Sequence, residues 1–404
     1  MGIVEKIKEI EDEMKRTQKN KATEGHLGLL KAKLAKLRAE LLTPASSGGG
    51  EGKGFDVARS GDGRVAMIGF PSVGKSSLLS HLTDTESTAA GYEFTTLTCI
   101  PGNVIYNGCK IQLLDLPGII EGAAHGKGRG REVIAVAKSA DLILMVLDAG
   151  KEGVNNHRAI LERELETVGL RLNKQPPNVS FRRKRDGGLK ITQMVLQTKM
   201  GEQPERTIAN ILRTYKIHHA EILFREDCTT DQFIDIIMEN RKYVRCLYVY
   251  NKIDQITIED VDRLAREPHS TVLSVHQNLN VEELLARMWD YMGLVRVYTK
   301  KKGATPDFGD PIVLSSQRKG TTVEVAVGDI SKDMLKIFKY AMVWGRSTKH
   351  DPQTVGLKHT LLDEDVLQVA TKTVTQQKHD KNYVHVVQAH ADAWKRKKKA
   401  ALKT

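Results

Sequence analysis

The stretch Gly69-Phe70-Pro71-Ser72-Val73-Gly74-Lys75-Ser76 sets two glycines four residues apart and follows them with a lysine and a serine. An apolar run, Val65 to Ile68, precedes it, and Ser77-Leu78-Leu79 opens a helical pattern behind it. A glycine loop between a strand and a helix curls its N–H groups around phosphate oxygens, and the helix N-terminus adds its positive end. In such a loop Lys75 reaches the outer phosphates and the Ser76 hydroxyl is a ligand for Mg²⁺.

Three further stretches fall in the order a nucleotide site needs. Asp115-Leu116-Pro117-Gly118 closes an apolar run; Asp115 is expected to hold a Mg²⁺ water, and the Gly118 N–H to sense the terminal phosphate, where only glycine lets the backbone come close. Between it and the loop lies Tyr92-Glu93-Phe94-Thr95-Thr96-Leu97, from which Thr96, with Thr95 as the alternative, is expected to give Mg²⁺ a second hydroxyl. Asn251-Lys252-Ile253-Asp254 follows the run Cys246 to Tyr250. The Asp254 carboxylate can accept from the guanine ring N–H and its amine together, a pair adenine lacks, which argues against an ATP-using enzyme. Ser274-Val275-His276 can then offer backbone N–H groups to the guanine carbonyl. The expected nucleotide shell is therefore Gly69 to Ser77, Asp115 to Ile119, Asn251, Lys252, Asp254 and Ser274 to His276. Lys75, Thr96 and Gly118 carry the chemistry, and Ser76, Thr96 and Asp115 the metal.

These residues need a scaffold that brings strand ends together. Apolar runs alternating with helical patterns from Arg64 onward predict a parallel α/β sheet wrapped by helices, with strands at Val65–Gly69, Asn103–Tyr106, Ile111–Asp115, Leu142–Asp148, Leu247–Asn251 and Thr271–Ser274. Each motif sits at or just after a strand's C-terminal end, where open α/β sheets bind ligands. The 404 residues, 40% of them hydrophobic, suffice for two or three domains. The longest aliphatic run, Leu142 to Leu147, is too short to span a bilayer, and Met1 to Glu5 has no apolar signal region, so no membrane role and a cytoplasmic location are expected. Four scattered cysteines, Cys99, Cys109, Cys228 and Cys246, fit reduced thiols and no zinc site. A net charge of +12 and a pI near 9.3 suit a polyanionic partner such as RNA, or simply solubility.

Other segments surround that sheet. Residues 1–54 hold two helical patterns read as a hairpin broken at Thr23-Glu24-Gly25, then a Gly/Ser linker from Thr43 to Gly54. The polar face of the second helix (Lys31, Lys33, Lys36, Arg38) is either an RNA contact or a solvated surface. The nucleotide domain covers 55–170 and 241–294. An insertion at 171–240, with the cluster Arg182-Arg183-Lys184-Arg185, alternating Ile191, Met194 and Leu196, and a helical Ile208 to Tyr215, reads as a small α+β unit. At 295–370, β-like runs at Val295–Tyr298, Ile312–Leu314, Thr322–Val327 and Val366–Ala370, with a helix around Met334 to Tyr340, suggest a β-grasp domain. Residues 371–404 end in Trp394-Lys395-Arg396-Lys397-Lys398-Lys399, which suits phosphate binding, a solvated tail or a nuclear signal.

The loop Gly69 to Ser76, the segment Tyr92 to Leu97, Asp115-Leu116-Pro117-Gly118-Ile119-Ile120-Glu121-Gly122 and the glycine-rich Gly126-Lys127-Gly128-Arg129-Gly130-Arg131 resemble the Obg-type translation GTPases. Arg16 to Ala22 and His26 to Arg38 resemble the eukaryotic developmentally regulated GTP-binding proteins among them, most closely the first eukaryotic type. The resemblance, over residues 5 to 370, implies a Ras-like P-loop G domain, an N-terminal helical hairpin, an inserted domain of the ribosomal S5 domain 2-like fold and a C-terminal TGS domain. It also implies GTP and GDP as ligands, Mg²⁺ as cofactor, association with the ribosome and its RNA, a role in translation, and a small zinc-finger-containing regulatory partner. The family stops near the end of its TGS domain, so residues 371–404 stand as a departure.

Ras-like enzymes orient the attacking water with a glutamine next to the Gly118 position, where this chain has Ile119. Low intrinsic turnover is the expectation. The resemblance suggests K⁺ as the missing contact, although many K⁺-dependent relatives carry an asparagine at the position of Ser72. Arg129 and Arg131 are read either as transition-state contacts in cis or as backbone or RNA contacts. Two function classes result: a GTP-hydrolysing switch on the ribosome, and an RNA- or ribosome-binding adaptor that uses GTP structurally.

Overall fold

The computed structural model describes residues 3–42, 61–83, 100–116, 136–238, 241–316, 318–373 and 376. The chain divides into two compact units, Met1–Val104 with Ile111–Tyr291, and Ile105–Lys110 with Met292–Thr404.

In chain order the first unit has helices α1 (Ile3–Arg16) and α2 (Glu24–Leu42), strand β1 (Gly63–Ile68), helix α3 (Lys75–Leu82), strands β2 (Ile100–Tyr106), β3 (Cys109–Asp115) and β4 (Leu142–Asp148), helix α4 (Val154–Thr167) and strand β5 (Leu170–Leu172). The chain then leaves the main sheet for β6 (Val179–Arg183), β7 (Leu189–Gln193), α5 (Pro204–Thr214), β8 (Ala220–Phe224) and α6 (Thr230–Met238). It returns as β9 (Lys242–Asn251), α7 (Ile258–Ala265), β10 (Ser270–Val272) and α8 (Val281–Met292).

The main sheet runs β10-β9-β4-β1-β3-β2, with β5 also on β9. Pairing is parallel from β10 through β3. Every residue of β1 and β4 is buried, because helices cover both faces of a parallel sheet. All six expected strands are present. β5 was not expected: Leu170 to Leu172 pair with Lys242 to Val244, so the expected start of the insertion at 171 falls inside this strand. Three residues are too few for a sequence pattern to show.

The inserted unit is α+β, as expected. Its sheet runs β6-β8-β7, with β6 antiparallel and β7 parallel to β8. One face packs Ile222 and Phe224 on Ile208, Ile211 and Leu212 of α5 and Phe233, Ile234 and Ile237 of α6. Met194 and Leu196, read as part of an alternating strand, instead follow β7 and are exposed. The N-terminal hairpin forms too, and α2 adds Ala32 and Ala35 to the same core. Two helical glycines allow that approach: a Cβ on Gly28 would lie 3.1 Å from Thr230 Cγ2, and one on Gly25 3.2 Å from Thr207 Oγ1. The basic face of α2 is largely engaged within the chain. Lys31 Nζ pairs with Asp231 (2.8 Å), Lys36 Nζ donates to Thr214 O (3.3 Å) and Arg38 pairs with Glu11 (2.7 Å).

A buried carboxylate joins these parts. Asp235 of α6 accepts two bonds from Arg171 of β5 (2.6 and 2.9 Å), and Arg241 Nε lies 3.3 Å away.

The second unit has β11 (Leu294–Thr299), β12 (Asp307–Ser315), α9 (Val323–Ile330), α10 (Lys332–Lys336), β13 (Phe338–Trp344), β14 (Gln353–Val355) and β15 (Asp365–Thr371). Its sheet runs β12-β11-β15-β13-β14. Two expectations fail here. Thr322–Val327 reads as a strand because it is β-branched, yet Val323, Ala326 and Val327 recur at helical spacing and are fully buried, and that packing overrides local propensity. The helix expected at Met334–Tyr340 ends at Lys336, and Phe338 onward forms β13, paired with β15.

Asp235→Ala leaves two arginines half-enclosed without their counter-ion, a change that costs about 3–5 kcal/mol when a buried pair loses one partner. Its urea midpoint should fall well below that of the parent protein.

Candidate nucleotide site

The loop begins where β1 ends. Gly69 is fixed by close approach, since a Cβ there would collide with the Val146 carbonyl oxygen of β4. Gly74 has φ 95°, in the left-handed region, and a Cβ there would strike the Asn251 amide. Ser72 also has positive φ, 65°. Phe70 packs on the main core and its ring meets that of His157 at 4.9 Å. Val73 is buried, whereas Pro71, Ser72, Ser76 and Ser77 are exposed. Lys75 opens α3, and its Nζ donates to the Gly69 and Phe70 carbonyls, both at 3.0 Å, so the ammonium arches over the loop. Burial lowers its pKa, and the charge of Asp115 opposes that shift.

Asp115, at the end of β3, is buried. Its Oδ2 accepts from Ser76 Oγ at 2.7 Å, and its Oδ1 has no hydrogen-bond partner among the described residues. A hydroxyl and a carboxylate at contact, with one buried oxygen left over, form a donor set of the hard oxygen type that suits Mg²⁺ and its waters.

The base end is built from β9 and the turn after β10. Asn251 Nδ2 donates to Val73 O (2.9 Å), while its Oδ1 accepts from the Lys252 N–H (2.8 Å) and the Val275 N–H (3.2 Å). Lys252, at φ 66°, donates Nζ to Ser72 O (3.0 Å) and Asp148 Oδ2 (2.7 Å). Asp254 is exposed and accepts from Ser274 Oγ at 2.6 Å, a bond that holds its carboxyl below the usual carboxylate range. It therefore stays an acceptor for N–H donors well into acid. The three N–H groups expected for the guanine carbonyl are not equivalent. Ser274 N donates to Leu279 O and Val275 N to Asn251, which leaves the His276 N–H as the one without a partner among the described residues.

The structure thus gathers the loop, Asp115, Asn251, Lys252, Asp254 and Ser274 to His276 on one edge of the sheet. Leu116 is buried next to Asp115. Thr95, Thr96, Pro117, Gly118, Ile119, Arg129 and Arg131 lie outside the described residues. One site residue escaped the sequence reading. Asp148, 5% exposed, ends β4 and anchors both Lys252 and the Gly150 N–H. An acid closing a fully apolar strand beside the loop strand was the available signal.

A parallel sheet whose first strand ends in a phosphate loop, with a Ser–Asp pair beside it and an Asn-Lys-x-Asp strand end across from it, defines a P-loop GTPase. Family models agree: residues 64–182 match the 50S ribosome-binding GTPase model, 186–294 its C-terminal region and 295–371 the TGS domain. Developmentally-regulated G-protein 2 of Arabidopsis thaliana is 58% identical over 403 residues, 100% of both chains. Developmentally-regulated GTP-binding protein 2 of Homo sapiens is 59% identical over 372 residues, 92% of this chain and 100% of that one. The chain belongs to the developmentally regulated GTP-binding protein family and is a GTPase. The human relative carries the number 2, so the comparison does not favour the first eukaryotic type. The Arabidopsis match runs through residues 371–404, whereas the human relative is matched over its whole length by 92% of this chain, so a longer chain is shared with some relatives and is a departure from others. Among solved structures, the Schizosaccharomyces pombe YchF GTPase matches at TM-score 0.43 and 14% identity, over 77% of this chain and 98% of that one.

Gly74→Ala should lower GTP affinity at least about tenfold without unfolding the chain, since the left-handed φ costs about 1–2 kcal/mol for an L-residue and the new Cβ displaces Asn251. Titration with a fluorescent GTP analogue, beside a far-UV CD spectrum, reads both.

Proposed function

We propose that the chain is a Mg²⁺-dependent GTP switch of low intrinsic turnover that acts on ribosomes in translation, in the cytoplasm. The observation that carries the reading is the Asp115 carboxylate, bonded to Ser76 through one oxygen and left with the other buried and without a partner among the described residues. Ser76 and Asp115, joined by Thr96, would hold Mg²⁺, which when bound neutralises the β/γ-phosphates. Lys75 stabilises charge on the transferring phosphoryl group, and the Gly118 N–H reports the γ-phosphate. The N–H donors of the loop 69–77 cradle phosphate, and Asn251, Lys252, Asp254 and the His276 N–H read the base. Ile119 can neither donate nor accept, so the attacking water stays unpositioned until K⁺, the ribosome or a small zinc-finger-containing partner completes the site. The family description, 50S ribosome-binding GTPase, and the +12 charge support a ribosomal RNA partner. No helix among the described residues is long and apolar enough to cross a membrane.

Purified protein in Na⁺ buffer should turn over slowly and accelerate with K⁺ or ribosomes. Fast turnover in Na⁺ alone defeats the proposal. Lys75→Ala and Ser76→Asn should abolish GTP-analogue-dependent co-sedimentation with ribosomes; unchanged co-sedimentation would favour the adaptor reading.

Asp254→Asn replaces an acceptor pair by one acceptor and one donor. GTP affinity should fall about a hundredfold and xanthosine triphosphate, which has an oxygen where guanine has the amine, should bind better than to the parent. If GTP affinity is unaltered in a competition titration, Asp254 does not read the base.

A further inference from the structure

Helix α9 covers one face of the sheet of the second unit, and among the described residues the other face is half-buried to exposed. Val297, Ala341, Val343 and Leu367 turn inward onto Val323, Ala326 and Val327 of α9. The alternate residues stand on the opposite face. There the register sets Trp344 of β13 against Val366 of β15, and Val366 against Tyr298 of β11. Phe308 of β12 extends this row, its ring 5.0 Å from that of Tyr298 and tilted 67°. Two same-face pairs away on β13, Tyr340 stands opposite Ala370, and between it and Trp344 Met342 opposes Gln368. Phe308 is 65% exposed, and Tyr298, Tyr340 and Trp344 are half-buried.

Cations accompany the rings. Lys300 Nζ lies 4.7 Å from the Trp344 ring centre and Lys339 Nζ 5.8 Å from that of Tyr340. Lys301 and Lys302 follow, both exposed. Arg296 is bound to Asp363 and Glu364, so the lysines supply the free positive charge. Asp307, on the same edge, turns its Oδ1 onto the Gly309 N–H.

Aromatic residues make up 5% of the chain. Four of them on one sheet face, edged by lysines, match the requirements of single-stranded nucleic acid, whose bases stack on rings while cations meet the phosphates. The solvent face of the inserted sheet offers a contrast: it carries Arg182, Lys190 and Glu221 but no ring.

We propose that the open face formed by Tyr298, Phe308, Tyr340 and Trp344, with Lys300 and Lys339, is a platform on which unpaired RNA bases stack. This deepens the proposed ribosomal role by naming the RNA form that the second unit takes. The test uses the full chain and fluorescence anisotropy with a labelled single-stranded oligouridylate and a duplex RNA of equal length. Phe308→Leu and Trp344→Leu keep an apolar side chain and remove the π-face. Each should weaken single-strand binding about tenfold and leave duplex binding unchanged, while Trp344→Phe retains it. The lysine-rich tail is common to all variants and meets phosphates in either form. Leucine variants that bind the single strand as tightly as the parent, or a parent that binds the duplex as well as the single strand, would overturn the proposal. Melting temperature and GTP binding of each variant report folding. GTP-dependent ribosome co-sedimentation of the parent is read separately, so its failure sinks the switch without deciding the platform.

Discussion

One side-chain amide holds the nucleotide site together. Asn251 donates to the carbonyl of Val73 inside the phosphate loop and accepts from its neighbour's N–H and from Val275 in the turn beyond β10. Three segments far apart in sequence therefore share one planar group with a donor on one side and an acceptor on the other. Few other side chains can do this: aspartate has no donor, and a lysine no acceptor. The bonds are made in a buried place, where an unpaired amide would cost more than the bonds gain. Gly74 follows from Asn251, because the amide occupies the space that any Cβ would need. Lys252 repeats the design one residue later, joining the Ser72 carbonyl to Asp148. The phosphate end and the base end are thus one rigid body, tied across β1, β4 and β9.

Much of this was legible in the sequence because the constraint acts on single residues. A loop that must hold φ near 95° and pass within contact of β4 requires glycine, and the proposed base reader requires a carboxylate, so Gly69, Gly74 and Asp254 stand out as single letters at a definite spacing. The parallel sheet was legible for a related reason: strands buried on both faces are continuous apolar runs, as in Leu142 to Leu147. Tertiary packing was not legible. The run Thr322 to Val327 has the composition of a strand and becomes a helix because one face of it closes the core of the second unit. β5 is three residues long, and its partner residues on β9 are 72 positions away, Leu170 facing Lys242. The engaged lysines of α2 look like any solvated face until α5 and α6 are set beside them.

Asp235 shows how the inserted unit is joined to this rigid body. It lies on α6; its partner Arg171 is the central residue of β5, and Arg241 immediately precedes the adjacent strand β9. β9 runs from this carboxylate at one end to Asn251 at the other, with its central residues buried. Any tilt of β9 would be felt at both ends, since ten paired residues between neighbours β4, β5 and β10 leave it little freedom to bend.

The charge on Lys75 makes the final step of the argument. Burial works against its ammonium, and among the described residues two carbonyls of its own loop and the nearby Asp115 compensate. Those carbonyls are neutral dipoles. On the proposed reading a triphosphate would bring several negative charges to the same point, and the ammonium would gain more from it than from the loop because little water screens the pair. The loop therefore holds the ammonium in position through weak partners, which under the proposed reading a phosphate would replace without the backbone having to be rebuilt. Asn251, by holding Val73, fixes the frame against which that exchange takes place.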